Sequence, residues 1–163
     1  MADSIAELSD AAQHGNLARV VALLDAQPGF LNMPDSEGWT ALHLASYFGR
    51  EDVARTLLER GAEVHFSSLN TMRNQPMHAA AAGRHAGIVA LILDAGGDPN
   101  ARQVGGWTPL HAAAQNGQRE LVELLLARGA DASLLSESGM TPFALAEERN
   151  HHNVAALLRT EAV

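Results

Sequence analysis

Cysteine is missing from the chain, which removes disulfide bridges, thiolate nucleophiles and cysteine-ligated zinc together. Lysine is missing as well: all 11 basic residues are arginine, they face 19 acidic ones, and the formal net charge is −8. Nucleic-acid binders draw most of their affinity from neutralising phosphates, so an acidic chain without a basic cluster argues against that class. The lack of a polybasic segment argues equally against an anionic lipid surface. Aromatic residues make up only 4% of the chain, so a core must be built from Ala, Leu, Val and Ile, which suit closely packed helices. No apolar run approaches the roughly 18 residues of a membrane span. The first residues carry neither a basic n-region nor an apolar h-region, so no signal peptide is read and the default location is the cytoplasm. A length of 163 residues fits one ordinary domain.

What is present is repetition. Gly38-Trp39-Thr40-Ala41-Leu42-His43-Leu44-Ala45 returns as Gly106-Trp107-Thr108-Pro109-Leu110-His111-Ala112-Ala113, with Arg73-Asn74-Gln75-Pro76-Met77-His78-Ala79-Ala80 between them. The histidines are spaced by 35 and 33 residues. Downstream, Val53-Ala54 with Leu57-Leu58, Ile88-Val89 with Ile92-Leu93, and Leu121-Val122 with Leu125-Leu126 share the i, i+1, i+4, i+5 spacing of a broad apolar helix face. Gly61, Gly96 and Gly129 each stand 18 residues after a repeat histidine, where a left-handed helix cap is expected. Each unit therefore reads as a turn, a short Ala-rich helix capped by a residue such as Thr40 or Thr108, a second Leu-rich helix, and a loop. One such pair cannot bury its apolar face alone, and stacking of neighbours buries it.

The period near 33, the Gly-Trp-Thr-Pro-Leu-His-Ala-Ala string and the Leu-Leu-Leu-Ala-Arg-Gly-Ala-Asp string at 124–131 together closely resemble the ankyrin repeat family. The resemblance implies an all-α, ankyrin-type solenoid of helix-turn-helix repeats with short β-turn or hairpin-like loops. It divides a single domain, 1–163, into an N-terminal capping repeat at 4–34, full repeats at 35–69, 70–102 and 103–135, and a C-terminal capping repeat at 136–163. In the last, Ala144 replaces the histidine and Asn150 the inter-helix glycine. The cap-like ends read as those of a whole protein. Within the family the repeat histidine hydrogen-bonds backbone at the turns, and that role passes to His43, His78 and His111.

The middle repeat departs from the pattern. Gln75 takes the N-cap position, where losing threonine costs about 1 kcal/mol. Arg84 takes the place of Gly49 and Gly117, and a left-handed arginine costs roughly 1 kcal/mol unless Gly83 makes the turn instead. The loop at 65–74 lies in a connection two residues longer than the one that holds its counterpart at 98–107: His78 follows Gly61 by 17 residues, His111 follows Gly96 by 15. This repeat is expected to have the least regular geometry, through ordinary drift or as a partner-shaped loop or hinge.

Eight histidines invite a metal or catalytic reading. The three repeat histidines lie one repeat apart and cannot converge on one ion. His14, His65 and His85 read as isolated surface or turn residues. His151 and His152 are adjacent and diverge on a helix, unlike the i, i+4 pair of a zinc helix. No nucleophile elbow, phosphate loop or dinucleotide fingerprint is found. Glu51, Asp52, Glu120 and Glu123 fall on solvent faces, without the pocket that acid–base work requires. No catalytic residue, metal ligand or cofactor is assigned, and the protein is not read as an enzyme.

The resemblance implies binding of a protein partner on the concave face and loop tips. The family's variable positions carry Glu37, Trp39, Tyr47 and Phe48 in the first full repeat, Met72 and Asn74 in the second, Trp107, Gln115 and Asn116 in the third, and Met140 in the last. Trp39, Tyr47, Phe48, Asn74, Trp107, Gln115, Asn116 and Met140 are the candidate partner-binding residues. Trp39 and Trp107, two repeats apart, are expected about 20 Å from each other at roughly 10 Å per helix layer. Two readings of Trp39, Tyr47 and Phe48 stand side by side: exposed anchors for a partner, or packing between loops and helices. Phe66 is open between plug and contact. The acidic balance favours a partner with a basic patch, mainly through on-rate, and the protein is expected to be a monomer. Two alternatives are an engineered or excised repeat scaffold without a natural partner, and a metal-dependent or enzymatic protein. The irregular middle repeat argues against a design, which would idealise each unit.

Overall fold

A computed structural model describes residues 4–160, and among the described residues none lies in a β-strand. Among the described residues ten α-helices follow in pairs. The first pair, α1 (Ile5–His14) and α2 (Leu17–Ala26), has ten residues in each helix. Four further pairs then keep one plan: a seven-residue helix and a nine-residue helix. These are α3 (Ala41–Tyr47) with α4 (Glu51–Glu59), and α5 (Pro76–Ala82) with α6 (Ala86–Asp94). They continue with α7 (Pro109–Gln115) and α8 (Arg119–Ala127), then α9 (Pro142–Glu148) and α10 (His152–Thr160). Isolated helices of this length are marginal in water, so stacking must supply their stability.

The chain forms two compact units, one running to Gly97 and one from Asp98 onward. In the first, α3 packs between α1 and α5, while α4 packs against α2 and α6. In the second, α7 packs on α9 and α8 on α10. The seven-residue helices bury small residues, as Ala41 and Ala45 or Ala79, Ala80 and Ala81, which lets neighbouring backbones approach. The second helices bury three positions of each expected stripe: Val53, Ala54 and Leu57; Ile88, Val89 and Ile92; Leu121, Val122 and Leu125. The fourth position, Leu58, Leu93 or Leu126, is only half-buried, because at i+5 it turns toward the edge of the face.

Polar caps fix the start of each short helix. The Thr40 N–H donates to His43 Nδ1 at 3.3 Å, and the Thr40 hydroxyl lies 2.8 Å from the same nitrogen. Nδ1 is thus the acceptor, so the ring proton sits on Nε2, which donates to the Asn74 carbonyl at 2.9 Å. The same geometry recurs at Thr108 and His111, whose Nε2 donates to the Met140 carbonyl at 3.1 Å. Each histidine therefore caps its own helix and holds the turn of the repeat that follows, the role the family resemblance implied.

A second set of inter-repeat bonds joins the other end of the short helices. Arg50 Nε donates to the Gln13 carbonyl at 2.8 Å, His85 Nε2 to Tyr47 at 3.1 Å, and His151 Nε2 to Gln115 at 3.0 Å. His85, expected as an isolated surface or turn residue, and His151, expected only as one of an adjacent pair, are thus structural ties. Their signal in the sequence was positional: both follow directly on the inter-helix glycine position, held by Arg84 and Asn150 in these repeats. That position is glycine where it can be for two reasons. Gly49 has φ +71°, and a Cβ there would overlap the His85 ring, with Nδ1 only 2.7 Å away.

The middle repeat is irregular, as its sequence predicted. Arg84 adopts φ 68° while Gly83 stays right-handed at φ −73°, so the glycine does not relieve the arginine. Arg73, in the long loop, has φ 46°. Three loop tips close with an N–H to carbonyl bond between residues 35 and 39, 103 and 107, and 136 and 140. The fourth closes between Ser68 and Asn74 instead, and takes up the two extra residues inside the tip.

Candidate protein-binding surface

An exposed apolar surface forms around α3 and its preceding tip. Asp35 organises the tip: its Oδ1 accepts the N–H of Glu37 at 2.9 Å and of Trp39 at 3.0 Å, while its own N–H donates to the Trp39 carbonyl at 2.8 Å. Held this way, the Trp39 indole meets the His43 ring edge-to-face with centroids 5.5 Å apart. Phe66 takes another edge of that ring at 6.2 Å, and it is half-buried, so it acts as a plug. Burial lowers the His43 pKa from 6.5 to about 4, against the opposing pull of the hydrogen bond to the Asn74 carbonyl. His111 is lowered by burial as well. Both rings are therefore neutral at physiological pH, and each holds a backbone carbonyl of the following turn.

One helical turn beyond His43, Tyr47 and Phe48 emerge at the end of α3. Their rings pack edge-to-face at 5.1 Å, yet Tyr47 keeps 49% of its surface exposed and Phe48 38%. The backbone under them is fixed by the bond from His85 to the Tyr47 carbonyl. Trp39, His43, Leu44, Tyr47 and Phe48, with Gln13 of α1 and Glu37 of the tip, line a groove of about 330 Å³. The two sequence readings of these aromatics divide by residue. Trp39 is half-buried and packs on His43, whereas Tyr47 and Phe48 face outward.

Asn74 does not belong to this surface. It is only 6% exposed, because Ser68 Oγ lies 2.7 Å from its side-chain oxygen and accepts its N–H at 3.1 Å, while its carbonyl receives the His43 bond. Its register with Trp39 points to a contact, but in a longer tip that register faces inward. The remaining candidates lie in the second unit. Trp107 packs on His111 with centroids 5.8 Å apart, and Trp107, Gln115, Asn116 and Met140 are all half-buried. Gln115 and Met140 lend their carbonyls to His151 and His111. Exposed apolar residues outside the candidate set are Leu69 at 70% and Met72 near half exposure on the long tip, and Met33, Val104 and Leu135 near half exposure on other loops.

Among the described residues no three His, Asp or Glu side chains gather as a metal site. The histidine pair at the start of α10 divides, with His151 tied to Gln115 and His152 lying 3.8 Å from Glu147 on the surface.

Residues 8–68 and 77–162 match the family described as ankyrin repeats (3 copies). The chain belongs to the ankyrin repeat family. Its all-α helical repeat solenoid is the architecture of that family. Among curated relatives, Palmitoyltransferase Hip14 of Drosophila melanogaster is 38% identical over 101 residues, 61% of this chain and 15% of that protein. Ankyrin repeat and SOCS box protein 3 of Homo sapiens is 31% identical over 101 residues, 61% of this chain and 19% of the relative. The Neurogenic locus Notch protein of Drosophila melanogaster is 42% identical over 77 residues, 47% of this chain and 3% of the relative. The matched stretch thus spans under a fifth of the length of each. It consists of ankyrin repeats, so the catalysis named for the first relative stays with that relative. Among the described residues no helix is long and apolar enough to cross a membrane.

Proposed function

We propose that this ankyrin repeat chain is a non-catalytic protein-binding module, acting as a cytoplasmic monomer and adaptor, that takes its partner on the groove beside α3. Ankyrin repeats are in general protein–protein interaction modules, and a solenoid presents an extended surface without needing a pocket. One observation carries the choice of site: Tyr47 and Phe48 are large aromatics held outward on a fixed helix end, next to Trp39. Exposed Trp and Tyr become hot spots when a partner desolvates them, each worth on the order of 2 kcal/mol or more. Their backbone is anchored by hydrogen bonds on both sides, so little ordering has to accompany binding. The net charge of −8 speeds encounter with a basic partner.

A photo-crosslinking side chain at position 48 tests the reading in cells of the source organism. A control chain carries the crosslinker at Glu59, exposed on α4. A discrete protein adduct at 48 that is absent at 59 is expected. Adducts at 59 alone, or none at either position, would contradict the site. Light scattering checks the monomer, and a fluorescent fusion checks the cytoplasmic location.

A further inference from the structure

The groove is not uniformly apolar. Glu37 lines it together with Trp39, His43, Leu44, Tyr47, Phe48 and Gln13, and no arginine is among the lining residues. The Glu37 backbone is engaged on both sides: its N–H donates to Asp35 Oδ1 at 2.9 Å, and its carbonyl accepts from Asn70 Nδ2 at 3.3 Å. Its carboxylate forms no ion pair with any described residue. The tip under Glu37 is therefore fixed, and the exposed Glu37 lines the same groove as Trp39 and Tyr47.

A purely apolar occupant would strip water from that carboxylate and give nothing back, which is the unfavourable case for a buried charge. A cation removes the penalty and adds attraction to the aromatic faces. Among biological cations the guanidinium fits this combination, because its plane stacks on an indole or phenol ring while its edge forks onto a carboxylate. Its three-carbon stem would lie along Leu44, as long basic side chains cover apolar surface while the head stays polar. A volume of about 330 Å³ is at the low end of the roughly 300–1,000 Å³ of ligand pockets, which suits one inserted side chain. The chain itself offers complementary charge at long range, with 19 acidic residues against 11 basic ones.

We infer that the groove recognises an arginine side chain of a basic segment of its protein partner, with the guanidinium between the Trp39 and Tyr47 rings and the Glu37 carboxylate. This rests on the reading of the groove as the docking surface and adds the chemistry of its occupant. The neutrality of His43 fits the same picture, since a charged imidazolium in the floor would repel the guanidinium.

The chain provides its own reporters, because it has two tryptophans and the indole N–H resonances of Trp39 and Trp107 can be followed separately. The probes are N-acetyl-arginine amide and N-acetyl-norleucine amide, titrated at low and high salt. Arginine amide should shift the Trp39 indole saturably and leave Trp107 unmoved. It should bind at least fivefold more tightly than norleucine amide and weaken at high salt. Glu37→Gln and Tyr47→Leu should each weaken arginine binding severalfold while the other amide resonances stay in place, showing that both variants remain folded. Equal or tighter binding of norleucine amide, unaffected by Glu37→Gln, would overturn the inference in favour of an apolar segment. A Trp39 shift that grows with protein concentration in the absence of probe would overturn it in favour of a second copy of this chain. No saturable shift with either probe would overturn it as well. In all three cases a crosslink at position 48 would still stand or fall separately, so failure of the arginine chemistry is distinguishable from failure of the docking site.

Discussion

At the residue scale, the neutral histidine has a measurable consequence. Folded His43 takes its proton near pH 4, and the unfolded chain takes it near 6.5. As pH falls through that window the unfolded state binds protons first, so stability drops, while above 6.5 the contribution is complete. At about 1.36 kcal/mol per pH unit, His43 alone removes about 3 kcal/mol across the window. His111 acts in the same direction. Urea unfolding at pH 7.5 and 4.5 should show the loss, and the His43 ring should titrate near 4 by NMR. A ring titrating near 6.5 would show that the buried cap does not hold. Ser46 gives a prediction of opposite sign. Its hydroxyl is fully buried without a hydrogen-bond partner. Ser46→Ala removes an unsatisfied group and should raise stability by about 1 kcal/mol, read as a higher urea midpoint at unchanged slope. Nothing in the sequence marked Ser46, because partnership of a hydroxyl is decided by packing.

The helix pair is the next scale, and there most of the structure was legible. The capping threonines, the apolar stripes and the glycine stops each follow from one local rule, and they recur in phase. The ties made by Arg50, His85 and His151 are not evident from sequence, because arginine fills in one repeat the position that histidine fills in two others, and only the fold shows their shared target. They explain why one glycine is worth more than another. Gly49→Ala meets both a left-handed backbone and the His85 ring, whereas Gly61 has φ +89° with nothing within 4 Å of an added Cβ. The left-handed term alone costs about 1–2 kcal/mol, so Gly61→Ala should lose about that much and Gly49→Ala clearly more. Equal losses would mean that the tie is dispensable. In the middle repeat, Arg84 already bears the left-handed strain, and Arg84→Gly should recover roughly 1 kcal/mol, checked by the same denaturation. The inward turn of Asn74 was hidden for a related reason: a two-residue insertion was visible as length, but its effect on side-chain direction depends on the Ser68 network.

For the whole molecule, the repeat period sufficed for the family. The candidate site was half legible. Aromatics in an aromatic-poor chain pointed to Tyr47 and Phe48, which the fold leaves exposed, while the depth to which Trp39 and Asn74 sink is a tertiary matter. We propose that the five repeats in 1–163 fold as one domain. Trp39 reports on the first unit and Trp107 on the second, so the single-tryptophan variants Trp107→Phe and Trp39→Phe should give coincident urea transitions if one domain unfolds at once. The central claim is the docking of a protein partner beside α3, and calorimetry with the crosslinked partner tests it most directly. Tyr47→Ala with Phe48→Ala should lower affinity by about 30-fold or more, the equivalent of 2 kcal/mol for a hot spot, while circular dichroism stays unchanged. Unaltered affinity in the folded double variant would contradict the account.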